Sequence, residues 1–278
     1  MTEGDLLKIH ATPSLSNATL VLSFTGWMDG GNVSTGTVQN LVHVLQATQI
    51  AEIDPDPFYI YNVPGPMEVA ELFRPPGAIE EGLVTELDMP SNIFYCHAPG
   101  NLLLFIGKEP HLRWRIFGEC ILKLARQWGV RRIVFVGSFG GPVPHTRLPR
   151  LYVSCSNAHL LPEMDEYGVR RSGYQGPSSF ATYLMTQVAS DGIDMISMTA
   201  EVPGYLQGSN PASIEAVTRR LTKLLGVHLD LAPLRTACTA WELRVSQVVE
   251  QSEELAETVR KLEEAYDNEL LRNSPDQS

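Results

Sequence analysis

Residues 133–147 read Ile133-Val134-Phe135-Val136-Gly137-Ser138-Phe139-Gly140-Gly141-Pro142-Val143-Pro144-His145-Thr146-Arg147. The apolar run Ile133–Val136 is short and continuous, the pattern of a strand covered on both faces. Glycines and prolines then follow closely, so a loop is expected from Gly137 onward. A buried parallel strand that empties into such a loop puts it at the carboxyl edge of an open α/β sheet, where ligands bind in this architecture. His145 and Arg147 bring a titratable ring beside a fixed cation, a combination suited to an anion or a carboxylate. The other reading is a rigid loop whose polar residues satisfy backbone groups. Both stay open on these residues alone.

Outward from this stretch, strand-like and helix-like segments alternate. Thr19–Phe24 is rich in apolar residues, and after a glycine turn Val38, Leu41, Val42 and Leu45 share one side of a helical pattern. Phe58–Tyr61 reads as a strand, whereas four prolines break Asn62–Gly82 into irregular structure. Leu102–Ile106 is a further strand. Pro110 suits a first helical position, and Leu112, Ile116, Cys120, Leu124 and Trp128 recur every four residues until Gly129 stops the helix. Leu151–Cys155 reads as a strand, Pro177 as the start of a helix through Phe180, Leu184 and Val188, and Ile193–Met198 as the last strand. Asn210 and Pro211 supply an N-cap and first position for a helix with Ile214, Val217, Leu221, Leu224 and Leu225 on one face and Gly226 as its stop. The chain from Leu231 is helical in pattern. Leu255, Val259, Leu262 and Tyr266 are spaced four, three, four, which fits a short heptad seam or a helix packed on its own domain. The alternation argues for an α/β fold, a parallel or mixed sheet with helices on both faces.

The 278 residues suffice for a large core, and 44% apolar content is that of a globular chain. With 21 basic against 32 acidic residues the net charge is −11, a surface that repels nucleic acid and anionic membranes, so neither is expected as a partner. No apolar run approaches membrane-spanning length and the N-terminus lacks a signal-peptide core, so a cytoplasmic location is expected. Four cysteines stand far apart without a Cys-x-x-Cys pair, and Cys120 and Cys155 read as buried thiols. The seven histidines are scattered, so no metal is expected; His97 and His111 read as partners for loop or helix-end hydrogen bonds.

Further motifs divide between chemistry and structure. Gly26-Trp27-Met28-Asp29-Gly30-Gly31-Asn32 lies between a strand and a helix, where backbone amides can meet an anion. The commoner explanation of such a turn is tight geometry with Asp29 capping the helix. No Gly-Lys-Ser/Thr occurs, the turn lacks the Gly-x-Gly-x-x-Gly spacing, and no cofactor is expected. Ser138 misses the nucleophile-elbow register, because Val136 stands where that motif needs glycine. Arg113 and Arg115 flank Trp114, either stacked on it or turned outward while the indole packs inward. Tyr174 is a candidate pocket wall, and Glu201, expected at the same sheet edge, is a candidate partner for Arg147.

Five elements in order resemble the proteasome assembly chaperone 2 family in its bacterial and archaeal branch. They are Gly26–Gly31, Gly107-Lys108-Glu109-Pro110 with Trp114, Val143–Arg147, Tyr174–Pro177, and Val202–Tyr205, followed by an acidic helical tail. One departure is Gly204, where relatives often carry histidine. The resemblance implies a three-layer αβα sandwich like the phosphorylase/hydrolase-like fold, with a C-terminal helical extension. The organisation expected is a sandwich domain over 1–228, the extension over 229–272 and a disordered tail over 273–278. It also implies homo-oligomers, a trimer being one such state, and a non-enzymatic assembly-chaperone or scaffold role with a protein partner at the C-terminal helix. The alternative is an enzyme or small-molecule binder. It would hold an anionic or nucleoside-like ligand among Gly26, Trp27, Asp29, Gly30, Glu109, His145, Thr146, Arg147, Glu201 and Tyr205.

Overall fold

The structure, a computed structural model, describes residues 6–272; the tail expected over 273–278 lies outside the described residues. The first half runs β1 (Leu7–Ile9), β2 (Ala18–Thr25), α1 (Val33–Val44), β3 (Thr48–Ile53), α2 (Met67–Glu71), β4 (Gly77–Glu80), β5 (Leu83–Leu87), β6 (Ile93–His97) and β7 (Leu102–Lys108). The second half runs α3 (Trp114–Gln127), β8 (Val130–Gly141), β9 (Leu151–Cys155), α4 (Leu161–Asp165), β10 (Arg170–Arg171), α5 (Phe180–Gln187), β11 (Asp194–Pro203), α6 (Pro211–Leu225), α7 (Ala232–Glu250) and α8 (Glu253–Arg272).

Nine strands form one mixed sheet in the order β1-β3-β6-β7-β2-β8-β11-β9-β10. The four central strands β7, β2, β8 and β11 are mutually parallel. β6, β3 and β1 continue one side antiparallel, and β9 joins the other side antiparallel to β11. Side chains alternate across each strand, so one run feeds two cores. Leu20, Leu22, Phe24, Phe105, Ile133 and Phe135 face α3 and α5, whereas Val21, Leu104, Val134, Val136, Ile196 and Met198 face α1 and α6. Each such buried Leu, Val or Phe contributes roughly 1.5–3 kcal/mol. The result is a sheet between two helical layers, as the alternation of segments predicts.

Several local expectations change. The apolar run of β8 does not end at Val136 but continues, paired with β11, through Gly141. Its glycines are needed there, because a Cβ on Gly137 would lie 2.8 Å from the Phe135 ring and one on Gly141 would lie 2.5 Å from Glu201 Oε1. Phe58–Tyr61 is not a strand. Phe58 closes a short 3-10 turn, its carbonyl takes the amides of His111 and Leu112, and the segment is held by side chains instead of a ladder. The strands in that region are β3 and β6. Residues 62–82 are not wholly irregular, since they include α2 and β4. α3 begins at Trp114 after Arg113 in a left-handed conformation (φ 55°), so Pro110 precedes the helix, and Leu112 is exposed. α5 is capped by Ser179, which accepts the Thr182 amide, and Pro177 lies outside it. Cys155 is only half-buried. Gly129 and Gly226 take the left-handed conformation (φ 66° and 65°) that ends a helix, and Asn210 caps α6 by accepting the Ser213 amide at 3.0 Å.

The C-terminal pair α7 and α8 folds back over the carboxyl edge. Of the apolar seam, Val259 and Tyr266 are buried against this same chain, so the seam belongs to a helix packed on its own domain.

Candidate functional site

The parallel strands β2, β8 and β11 all deliver their carboxyl ends to one edge, and the sequence candidates gather there in two groups. The first surrounds the turn after β2. Asp29 accepts the Thr35 amide at 3.1 Å and the Thr35 hydroxyl at 2.7 Å, which anchors the first turn of α1. Burial pushes its carboxyl above the ordinary value, against the lowering effect of those bonds. Ser138 donates its hydroxyl to the Gly30 carbonyl at 2.7 Å and its amide to the Met28 carbonyl at 2.8 Å, so it ties β8 to the turn. Ser34 likewise bridges β2 and β8, accepting the Phe24 amide and donating to the Val136 carbonyl.

The glycines of this turn allow close approach. A Cβ on Gly30 would sit 3.2 Å from Val202 Cγ2, and one on Gly31, at φ 65°, would sit 2.8 Å from Asn210 Cβ. These contacts give the turn the tight geometry of the structural reading, with Asp29 holding the Thr35 amide in the first turn of α1. Glu109 accepts the Phe180 amide at 2.6 Å, capping α5, and burial raises its carboxyl. Trp27 is exposed beside them.

The second group lies after β8. The Tyr205 hydroxyl accepts the His145 amide at 2.8 Å and stands 2.7 Å from Nδ1, while Nε2 stands 3.1 Å from Ser246 Oγ on α7. Both ring nitrogens are thus within hydrogen-bond reach of a hydroxyl, Tyr205 on one side and Ser246 on the other. Burial lowers the imidazole, opposed by Glu242 and Glu263. Thr146 donates to Glu263, and Arg147 forms a two-pronged bond to Asp267, Nε to Oδ1 and Nη2 to Oδ2 at 2.8 Å each. That bond raises the guanidinium and lowers the Asp267 carboxyl.

Glu201, 2% exposed, does not pair with Arg147. Arg150 reaches it first, at 3.3 Å, and Arg147 is drawn outward to the carboxylates of α8. A cavity of about 10 Å³ remains between His145, Arg147, Asn210, Ser213 and Trp241, space for one water. Asn210 connects the two groups, since its amide donates to the Gly31 carbonyl at 2.8 Å and its side chain lines this cavity.

Outside the two groups, Trp114 donates its indole N–H to the Pro110 carbonyl and stacks edge-on against Phe180, while Arg113 and Arg115 are exposed. Tyr174 is exposed and donates to the Pro177 carbonyl. His97 Nδ1 meets the Leu45 carbonyl and His111 Nδ1 accepts the Ile60 amide, the local roles expected of them. Arg150, Arg170 and Ser246, together with Glu263, Asp267 and Glu269 on α8, are the members of this edge that motif reading passed over. The one signal for them was the eight carboxylates crowded into 250–269. Among the described residues no group of three or more His, Cys, Asp and Glu is arranged to hold a metal, and no helix is long and apolar enough to cross a membrane.

Residues 23–249 match the PAC2 family. The fold is similar to that of Rv2714 of Mycobacterium tuberculosis, a protein of unknown function, with 26% identity, TM-score 0.83, and coverage of 95% of this chain and 90% of that one. It is also similar to Rv2125 of the same organism, a proteasome-assembly chaperone homologue, with 29% identity, TM-score 0.73, and coverage of 87% and 99%. PbaB of Pyrococcus furiosus, an archaeal proteasome activator, shares the fold at 18% identity and TM-score 0.64, with coverage of 87% and 97%. No functionally curated protein matches the chain.

Proposed function

The chain belongs to the PAC2 family, and from that premise we propose that it is a non-enzymatic, assembly-chaperone-like scaffold that binds protein. One observation carries this reading, the apolar arm over residues 67–89. Met67, Leu72, Ile79, Leu83, Val84 and Leu87 are each 60–86% exposed, on and directly after α2 and on a two-stranded ribbon that is separate from the main sheet. A contiguous apolar surface of this kind marks a protein contact, and a two-stranded ribbon leaves both outer edges unpaired. The carboxyl edge supports the same reading, because its polar groups bind one another and leave room for little more than a water.

In this proposal the protein is cytoplasmic and self-associates through the arm, a trimer being one such state. The helical extension over 229–272 offers a second protein contact. The partner class is a proteasome-like protein assembly, the proteasome being what the names of the mycobacterial and archaeal relatives give for those proteins.

Native affinity purification from the source cells, with cross-linking and mass spectrometry of proteins and small molecules, tests the reading. The expected result is a stoichiometric protein partner cross-linked to residues 67–89. A stoichiometric metabolite without a protein partner would overturn it in favour of a ligand among Gly26–Gly30, Glu109 and His145–Arg147.

A further inference from the structure

The arginines at the carboxyl edge form a continuous face, and α8 lies on it. Asp267 takes two N–H groups of Arg147, and Glu263 takes the Thr146 hydroxyl and stands 3.5 Å from Arg147 Nη1. Glu269 takes Arg150 Nη2 at 2.5 Å and also Arg170 Nη1. Between these ionic contacts the Tyr266 ring lies under the Arg150 guanidinium, 4.5 Å from its centroid, and its hydroxyl donates to the Leu148 carbonyl at 3.0 Å. The face thus reads a helix by three carboxylates and one aromatic ring.

Two features make α8 a removable occupant. Only Val259 and Tyr266 of its twenty residues are buried, and its ion pairs with Arg147 and Arg170 are partly exposed and open to screening. Its residues also lie beyond the part of the chain that matches the family, whereas Arg147, Arg150 and Arg170 lie within it.

We propose that this arginine face is a docking site for an acidic amphipathic helix of a partner protein, and that α8 fills it in cis as the competitor that partner must displace. The proposal rests on the scaffold reading. Gln251 and Ser252 join α8 to α7, a tether short enough to give the helix an effective concentration on the order of millimolar. A partner therefore needs the same pattern of carboxylates around an aromatic residue. Isolated carboxylates do not suffice.

The test uses the full chain with Glu263→Gln, Asp267→Asn and Glu269→Gln, and as probe a labelled peptide of residues 253–272 with native carboxylates. Amide exchange over 253–272 is expected to rise by about tenfold or more while β8 and β11 keep their protection. The neutralised chain should bind the peptide at least about tenfold more tightly than the unaltered chain does. Binding should weaken from about 50 to about 300 mM salt and disappear when Arg147→Ala and Arg170→Ala are added. Equal binding by both chains, binding that survives loss of both arginines, or an unchanged α8 overturns the proposal. A dimer in which two copies exchange α8 overturns it in favour of self-exchange. If the triple variant does not fold, salt applied to the unaltered chain decides, since exchange over 253–272 must then rise before that of β8. A chain whose arm captures its partner while α8 stays fixed keeps the scaffold reading and loses this one.

Discussion

At the residue scale, Arg150 and Glu201 carry the strongest electrostatic constraint of the carboxyl edge. Glu201 is 2% exposed and the Arg150 side chain 9%, so each charge is tolerated because the other is present. Tyr152 adds a hydroxyl at 3.4 Å to the same carboxylate. Arg150→Met is expected to cost about 3–5 kcal/mol because it strands a buried carboxylate, and adding Glu201→Gln should recover most of that loss. Urea unfolding of the two variants checks this; equal stability of single and double variants would remove the pairing argument. His145 makes a second case. Burial holds its imidazole below the ordinary 6.5, so in the intervening range the unfolded chain binds the proton and the folded chain does not. The stability present above pH 6.5 is therefore lost as pH falls from that value toward the folded one. The urea midpoint should drop between about pH 7.5 and about pH 5.5, and the drop should shrink in His145→Gln. Asp29 and Glu109 work in the opposite sense at lower pH, since their raised carboxyls bind the proton more readily in the folded chain.

At the scale of elements, glycine explains both what local reading captured and what it lost. β2, β7 and the first half of β8 are continuous apolar runs, and such runs are legible because both faces of a central parallel strand are covered. The second half of β8 is not legible. Gly137, Gly140 and Gly141 resemble a loop, yet they are strand residues over which Phe135, Gly204 and Glu201 lie at contact distance. Gly31 and Gly226 separate two uses of a left-handed glycine. A Cβ on Gly226 meets nothing within 4 Å, so Gly226→Ala should cost about 1 kcal/mol from backbone conformation alone. Gly31→Ala adds a 2.8 Å clash with Asn210 and should cost about 1–3 kcal/mol more. Thermal unfolding of the pair measures the difference. Equal costs would mean that the turn after β2 and the start of α6 are not packed as closely as described. The margin strands β3 and β6 escaped reading for another reason, since their burial comes from neighbours remote in sequence.

At the scale of the whole molecule, acidity and apolar exposure are segregated. α8 places its carboxylates over the arginines of the carboxyl edge, while the arm over 67–89 projects apolar side chains outward. Leu83→Ser with Val84→Ser is expected to lower self-association at micromolar concentration without loss of thermal stability, because neither side chain contributes to the core. Sedimentation velocity of the variant beside the unaltered chain checks it, and an unchanged distribution would move the contact elsewhere. The sequence by itself determined the α/β class, the central strands, the helix stops at Gly129 and Gly226, and the family, because these rest on apolar periodicity and short motifs that act over a few residues. Only the tertiary structure decided that Arg150 and not Arg147 meets Glu201, that Glu109 takes the Phe180 amide, and that α7 and α8 together cover His145–Arg147. Those outcomes depend on which charges arrive first at a shared buried edge, and the residues concerned lie 51 to 120 positions apart in the chain, beyond the reach of any local pattern.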